Sequence, residues 1–221
     1  LRVLVIGASR GIGREFAVQY LADGAQVTAT ARRPQDVAAL EALGATAFAL
    51  DVADAASASG LAWRIDGAGF DLVIVNAGVY GPRTAGLEPP TQADFDAVMH
   101  TNVLGPMRVI PQLADALAPG ARLAVLSSRM GSIGTRSDSS GWLYRASKAA
   151  LNSVLADVAL QFAGKATCVA LHPGWVQTDM GGKQASLTPA RSVADMRRTL
   201  AGLAPGRSGS FLNHDGTPIA W

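Results

Sequence analysis

Cysteine occurs once in this chain, at Cys168, which excludes an intrachain disulfide framework; its apolar surroundings, Ala166 to Leu171, mark it as a buried, inert thiol. Histidine and lysine are equally scarce, with three of each. His100 and His214 have no cysteine or carboxylate at ligand spacing, so no metal site is expected. His172 directly precedes a proline at a strand end and reads as structural. Charge is thin: 16% of residues are charged, and 19 basic against 17 acidic residues leave a net +2. The closest approaches to a basic patch are Arg32-Arg33 and Arg197-Arg198, without aromatic interleaving, which argues against nucleic-acid binding. No apolar run approaches the roughly 18 residues needed to cross a bilayer, and Val3 to Ile6 is too short for a signal sequence. A soluble, cytoplasmic protein is expected.

What is present is a 221-residue chain, 49% hydrophobic, with 24 glycines and 11 prolines, enough for one large unit over residues 1–221. Short apolar runs at Arg2–Ile6, Gln26–Ala31, Thr46–Leu50, Asp71–Val75, Arg122–Leu126, Thr167–Leu171 and Ser210–Leu212 read as strands buried on both faces. They alternate with helical patterns at about 12–23, 35–43, 54–64, 92–117, 142–163 and 190–203. This rhythm predicts an α/β fold: a single-domain, Rossmann-type, doubly wound parallel sheet of about seven strands with helices on both faces. The irregular stretches Gly78 to Pro90, Arg129 to Gly141 and Pro173 to Pro189 follow strands at the carboxyl edge, where such sheets bind ligands.

The first strand runs into Gly7-Ala8-Ser9-Arg10-Gly11-Ile12-Gly13 and then a helix. Glycine at a strand-to-helix turn lets backbone approach a pyrophosphate, and the helix N-terminus offers free N–H groups to the anion. An acidic residue closing the second strand would hold the adenosine ribose and repel a 2′-phosphate. Here that strand ends in Ala31-Arg32-Arg33, so Arg32, joined by Arg33 and Arg10, is placed to pair with a phosphate. NADP(H) is therefore expected over NAD(H).

Three tyrosines and three lysines in 221 residues give a chance Tyr-x-x-x-Lys only about 0.04 times. Tyr144-Arg145-Ala146-Ser147-Lys148 is one. Residues i and i+4 share a helix face about 6 Å apart along the axis, so the Lys148 ammonium is expected to lower the Tyr144 pKa and make the phenol a usable acid or base.

The spacing G-x-x-x-G-x-G together with Tyr-x-x-x-Lys resembles the short-chain dehydrogenase/reductase family. Ser128-Arg129-Met130-Gly131-Ser132-Ile133-Gly134 and Pro173-Gly174-Trp175-Val176-Gln177-Thr178-Asp179-Met180 are similar to its C-factor and carbonyl-reductase branch. The resemblance implies reversible hydride transfer between a nicotinamide and a carbonyl or carbinol carbon, with Tyr144 exchanging the proton, Ser128 rather than Ser127 orienting the oxygen, Lys148 holding the ribose, and Asn102 holding a water of the proton relay. It further implies cofactor contacts from Gly7, Ser9, Arg10, Gly11, Ile12, Gly13, Arg32, Asp51 and Val52. Contacts from Asn76, Ala77, Gly78, Tyr144, Lys148, Pro173, Gly174, Val176 and Thr178 complete that set.

The nucleotide-binding half is expected at about 1–90 and the catalytic half at about 91–221. The interval from Ser128 to Tyr144 implies a small insertion within Ile133 to Gly141. After Thr178 only 43 residues remain, which predicts a short lid, Asp179 to Pro189, and an open active site. Met130, Trp142, Trp175 and Met180 beside it suggest an apolar or aromatic carbonyl substrate. A homodimer through the 92–117 and 142–163 helices is possible, as is a monomer. The competing readings are a nucleotide-sugar epimerase or dehydratase, an NADP-binding signalling or regulatory protein of little turnover, and a pure interaction protein. The first needs a larger C-terminal region than this chain has, and the last finds no low-complexity or charged segment.

Overall fold

Alternate side chains of each strand face opposite ways, and in this chain both sets are apolar, which requires cover on both faces. The structure, a computed structural model covering residues 1–221, provides it. Seven strands, β1 (Arg2–Ile6), β2 (Gln26–Ala31), β3 (Thr46–Ala49), β4 (Phe70–Val75), β5 (Leu117–Leu126), β6 (Ala166–His172) and β7 (Ser210–Asn213), form one sheet in the order β3-β2-β1-β4-β5-β6-β7. Every neighbouring pair is parallel.

Val3, Val5, Val27, Ala29, Leu72 and Ile74 look to one face. There they meet Phe16, Ala17 and Tyr20 of α1 (Gly11–Ala22), Leu40 of α2 (Pro34–Glu41), and Val193, Met196 and Leu200 of α8 (Pro189–Ala201). Leu4, Ile6, Val73, Val75, Leu123 and Val125 look to the other. They meet Ala58 of α3 (Ala55–Ser59), Leu61 of α4 (Leu61–Arg64), Val109 of α6 (Gly105–Val109), and Leu151 and Leu155 of α7 (Trp142–Gln161). Cys168 is fully buried in this second layer, and burial pushes its thiol up to about 11. No helix is long and apolar enough to cross a membrane.

Two expected helices differ. The 54–64 helix breaks at Gly60 into α3 and α4, since glycine destabilises a helix interior. The 92–117 helix is a composite: α5 (Gln92–Met99), a π-helical turn (His100–Leu104), α6, and a 3₁₀ turn (Ile110–Leu113), with Pro106 and Pro111 interrupting the α-helical bonding. From Leu117 the chain is already strand, joined to β4 through a register shift between Phe70 and Leu72.

β1 is flanked by β2 on one side and β4 on the other, so the connections leave it in opposite directions. The carboxyl ends of β1 and β4 therefore open a crevice at the switch point.

Candidate active site

The glycine loop is shaped by strands distant in sequence. Gly7 N–H donates to Thr30 Oγ1 at 3.1 Å and Ala8 N–H to the Thr30 carbonyl at 2.7 Å. Asn76, at the end of β4, donates from Nδ2 to the Gly7 carbonyl at 2.6 Å. A Cβ on Gly13 would collide with that carbonyl and lie 2.5 Å from Asn76 Nδ2, and a Cβ on Gly7 would lie 2.8 Å from the Ala77 backbone. Gly7 and Gly11 both have positive φ, 90° and 53°. α1 then begins without a side-chain cap, so its first amides face the crevice unpaired.

The crevice is a cleft of about 470 Å³. Of the residues expected around the cofactor, Gly7, Ser9, Arg10, Gly11, Ile12, Arg32, Asp51, Val52, Asn76, Ala77, Gly78 and Thr178 line it. Gly13 stands behind the loop as described, while Tyr144, Lys148, Pro173, Gly174 and Val176 lie outside the lining. The Pro173 carbonyl accepts from Ser192 Oγ at 2.6 Å, Gly174 has φ 82° beneath Leu187 and His214, and Val176 bridges to Leu187. The three arginines part company. Arg32 lines the cleft, Arg33, the residue before α2, turns to Asp36 of that helix at 2.8 Å, and Arg10 is ion-paired with Asp179 across the cleft mouth. Arg33 is thus not brought to the site, because its neighbouring carboxylate at i+3 holds it.

Behind the cleft wall at Gly78, three elements bring Ser128, Tyr144 and Lys148 together. Gly78, which lines the cleft, is so close to Lys148 that a Cβ there would lie 3.4 Å from Nζ, and 3.3 Å from Asn102 Oδ1. Lys148 Nζ donates to the Leu126 carbonyl at 2.8 Å and stands 5.7 Å from the Tyr144 ring centroid. Ser128 Oγ accepts from Met130 N–H at 3.1 Å, capping a 3₁₀ turn at Arg129–Gly131. Ser127 turns the other way, donating to Asn152 Oδ1 at 2.6 Å. Gly131 lets the turn press on α7: a Cβ there would come within 2.8 Å of the Lys148 carbonyl carbon.

The electrostatics differ from expectation. Burial pushes the Tyr144 phenol well above its ordinary range, with the neighbouring Ser128 hydroxyl pulling the other way. Burial also lowers Lys148 to about 8. Desolvation opposes charge on both groups, so in this closed arrangement the lysine does not depress the tyrosine.

Asn102 is fully buried in the π-helical turn. Its Oδ1 accepts from Val79 N–H at 2.8 Å, and its Nδ2 donates to the Val79 carbonyl at 2.8 Å and to Ser147 Oγ at 2.9 Å. Both amide protons are thus engaged by protein, which makes the side chain a clamp between the loop after β4 and α7 rather than a donor to water.

The expected open site is instead covered. Tyr144 is only 6% exposed because Tyr80 stacks on it, ring centroids 4.6 Å apart and planes at 23°. The Arg83 guanidinium lies 5.1 Å over the Tyr80 ring and donates to the Met180 carbonyl at 2.6 Å, joining the loop after β4 to the segment after Thr178. That segment folds back on itself through Gln177 N–H to the Leu187 carbonyl and Leu187 N–H to the Trp175 carbonyl. The stretch before α7 is tied down by Arg145, which donates from Nε to the Ser140 carbonyl at 2.8 Å and pairs with Asp138 at 2.6 Å. Tyr80, Arg83 and Val79 carried no sequence signal of their own, while Gly131 and Ser147 stood inside recognised motifs without a role assigned to them. Only the position of Val79 and Tyr80 directly after Asn76-Ala77-Gly78 could have pointed to them.

A Rossmann-type sheet with a glycine-loop cleft, and beside it a buried tyrosine, lysine and serine, defines a dinucleotide-dependent oxidoreductase. The family model for short chain dehydrogenase matches residues 2–187, and the chain belongs to that family. It is 42% identical over 154 residues to C-signal of Myxococcus xanthus, covering 68% of this chain and 92% of that protein. A crystal structure of a short-chain dehydrogenase/reductase from Burkholderia multivorans with bound NADP superposes with TM-score 0.90 at 32% identity, over 100% of this chain and 99% of that one. The carbonyl reductase Sniffer of D. melanogaster superposes with TM-score 0.88 at 28% identity, likewise over 100% and 99%.

Proposed function

We propose that this oxidoreductase is an NADPH-dependent carbonyl reductase. The observation that carries the reading is the meeting of Tyr144, Ser128 and Lys148 just behind Gly78, in the wall of a cleft that also presents Arg32 and no carboxylate in its place. The glycine cradle that a Cβ would fill, the uncapped amides of α1 and the Arg32 guanidinium fit a dinucleotide carrying a 2′-phosphate. Ser9, Gly11 and Ile12 would hold its pyrophosphate, Asp51 and Val52 its adenine, and Lys148 its nicotinamide ribose. When bound, the cofactor supplies the hydride.

The chain's own residues do the rest. Ser128 orients and polarises the carbonyl oxygen. Tyr144, kept protonated by burial, delivers its phenolic proton to that oxygen as negative charge develops there. Lys148, charged below about pH 8, steadies the phenolate left behind. Asn102 fixes the distance between the Val79 loop and α7, and so the position of Tyr144 relative to the cleft.

The test is oxidation of NADPH by the purified protein with a panel of ketones, aldehydes and quinones, compared with NADH at matched ionic strength. The likeness to C-signal supports a second reading, an NADP-binding signalling protein of little turnover. Tight NADPH binding with no oxidation by any carbonyl would favour it.

A further inference from the structure

Tyr144 cannot receive a substrate in the arrangement described, because Tyr80 lies flat on it. Something must move, and the surroundings single out what. Ser128, Lys148 and Asn102 are fixed by hydrogen bonds to backbone in β5, the turn after it and the loop after β4. Tyr80 instead belongs to an irregular stretch between β4 and α5, and its ring is held by the Tyr144 ring and the Arg83 guanidinium. These contacts link four groups in series, Arg83 to Tyr80, Tyr80 to Tyr144 and Tyr144 to Lys148. The space beside Tyr80 is tight. Gly141, the residue before α7, has φ 60°, and a Cβ there would collide with the Tyr80 hydroxyl and lie 3.3 Å from Met130 Cε.

Resting on the carbonyl-reductase reading, we propose that the Tyr80 ring is a built-in occupant of the substrate subsite, holding the place above Tyr144 that a flat substrate group must take over. A substrate whose carbonyl is attached to a planar ring replaces the Tyr80 ring and regains the stacking on Tyr144 and the approach of the Arg83 cation that its entry disrupts. A saturated group of the same size displaces Tyr80 and regains neither. The site thus selects aryl and other ring-conjugated carbonyl compounds over aliphatic ones of equal bulk, while the cost of lifting Tyr80 falls on both alike and weakens the binding of each.

Acetophenone and cyclohexyl methyl ketone, matched in size but not in flatness, separate these cases. Affinity for each is measured by calorimetry on the protein saturated with NADP⁺, and kcat/KM by NADPH oxidation, in the wild type, Tyr80→Phe and Tyr80→Leu. The wild type is expected to favour acetophenone by about five- to thirtyfold. Tyr80→Phe, which keeps the ring, should keep that ratio and both affinities. Tyr80→Leu, which leaves no ring to lift, should keep the ratio and tighten the binding of both ketones about three- to tenfold. Unchanged affinities in Tyr80→Leu, a wild-type ratio near one, or failure of both ketones to bind overturns the proposal. If the ratio is found in binding but no ketone is reduced, the reductase reading fails while the role of Tyr80 stands.

Discussion

Asn102 grips Val79 from both sides, accepting its N–H and donating to its carbonyl, each at 2.8 Å, across 23 residues of chain. The pairing reproduces what a neighbouring strand would offer, at a place where the sheet has ended. Asn102→Leu would leave both Val79 groups and Ser147 Oγ without their partner in a buried setting, and should destabilise the protein by about 3 kcal/mol. Denaturant unfolding measures it. Asn102→Asp, which keeps the acceptor but supplies no donors, should also be destabilising at neutral pH. A loss below 1 kcal/mol in both variants would remove the clamp from the account of the site.

Tyr144→Phe removes one oxygen from a position shielded by Tyr80. NADPH affinity, followed by fluorescence titration, should change little, while turnover falls at least a hundredfold, within the range for loss of a general acid. In the wild type, reduction should decline as pH rises through about 8, where Lys148 gives up its charge. Retained turnover in Tyr144→Phe would assign the proton to another group.

The Arg10–Asp179 ion pair is exposed on both sides, 70% and 74%, so it contributes little to stability yet keeps Arg10 from an incoming phosphate. Asp179→Asn should leave the melting temperature nearly unchanged and tighten NADPH binding about two- to fivefold, with a smaller effect on NADH. Equal effects on both cofactors would show that Asp179 acts on the shared pyrophosphate and not through Arg10.

His172 has a buried Nδ1 without a hydrogen-bond partner, and burial, with help from Arg129 and His214, lowers its pKa from 6.5 to about 4. The folded state therefore binds this proton less readily than the unfolded chain. The neutral imidazole's contribution is complete above pH 6.5 and is lost as pH falls toward 4, about 3 kcal/mol over that window. The melting temperature of the wild type should fall more steeply between pH 6.5 and 4 than that of His172→Gln. Parallel curves would place the acid sensitivity in the carboxylates alone.

The sheet was legible because its strands are short, doubly buried and punctuated, so their apolar runs survive in the sequence with boundaries shifted by a residue or two, as at Phe70 and Ala166. β5 is the exception, as its first part, Leu117 to Ala121, contains a proline and a glycine and does not read as strand. The glycine loop and Tyr-x-x-x-Lys were legible because their chemistry demands fixed local spacing. Tyr80 and Arg83 were not, since stacking on Tyr144 depends on how an irregular loop folds over a helix 64 positions away, and no local pattern encodes that. The same holds for Arg33 and Arg10. Their charge was visible, but their claim by Asp36 and Asp179 is a matter of side-chain direction.

The hydrogen bond from Asn76 to Gly7 joins residues 69 positions apart, and β1 is completed only when β4 lies beside it. The shape of the glycine loop is therefore a product of long-range assembly and not of its own short sequence. β1, α1 and β2 by themselves lack the side chain that holds the Gly7 carbonyl, which arrives only with β4. Contacts of such sequence separation form slowly compared with a helix. The loop is thereby tied to the centre of the sheet, and a change that loosens β4 from β1 reaches the loop as well.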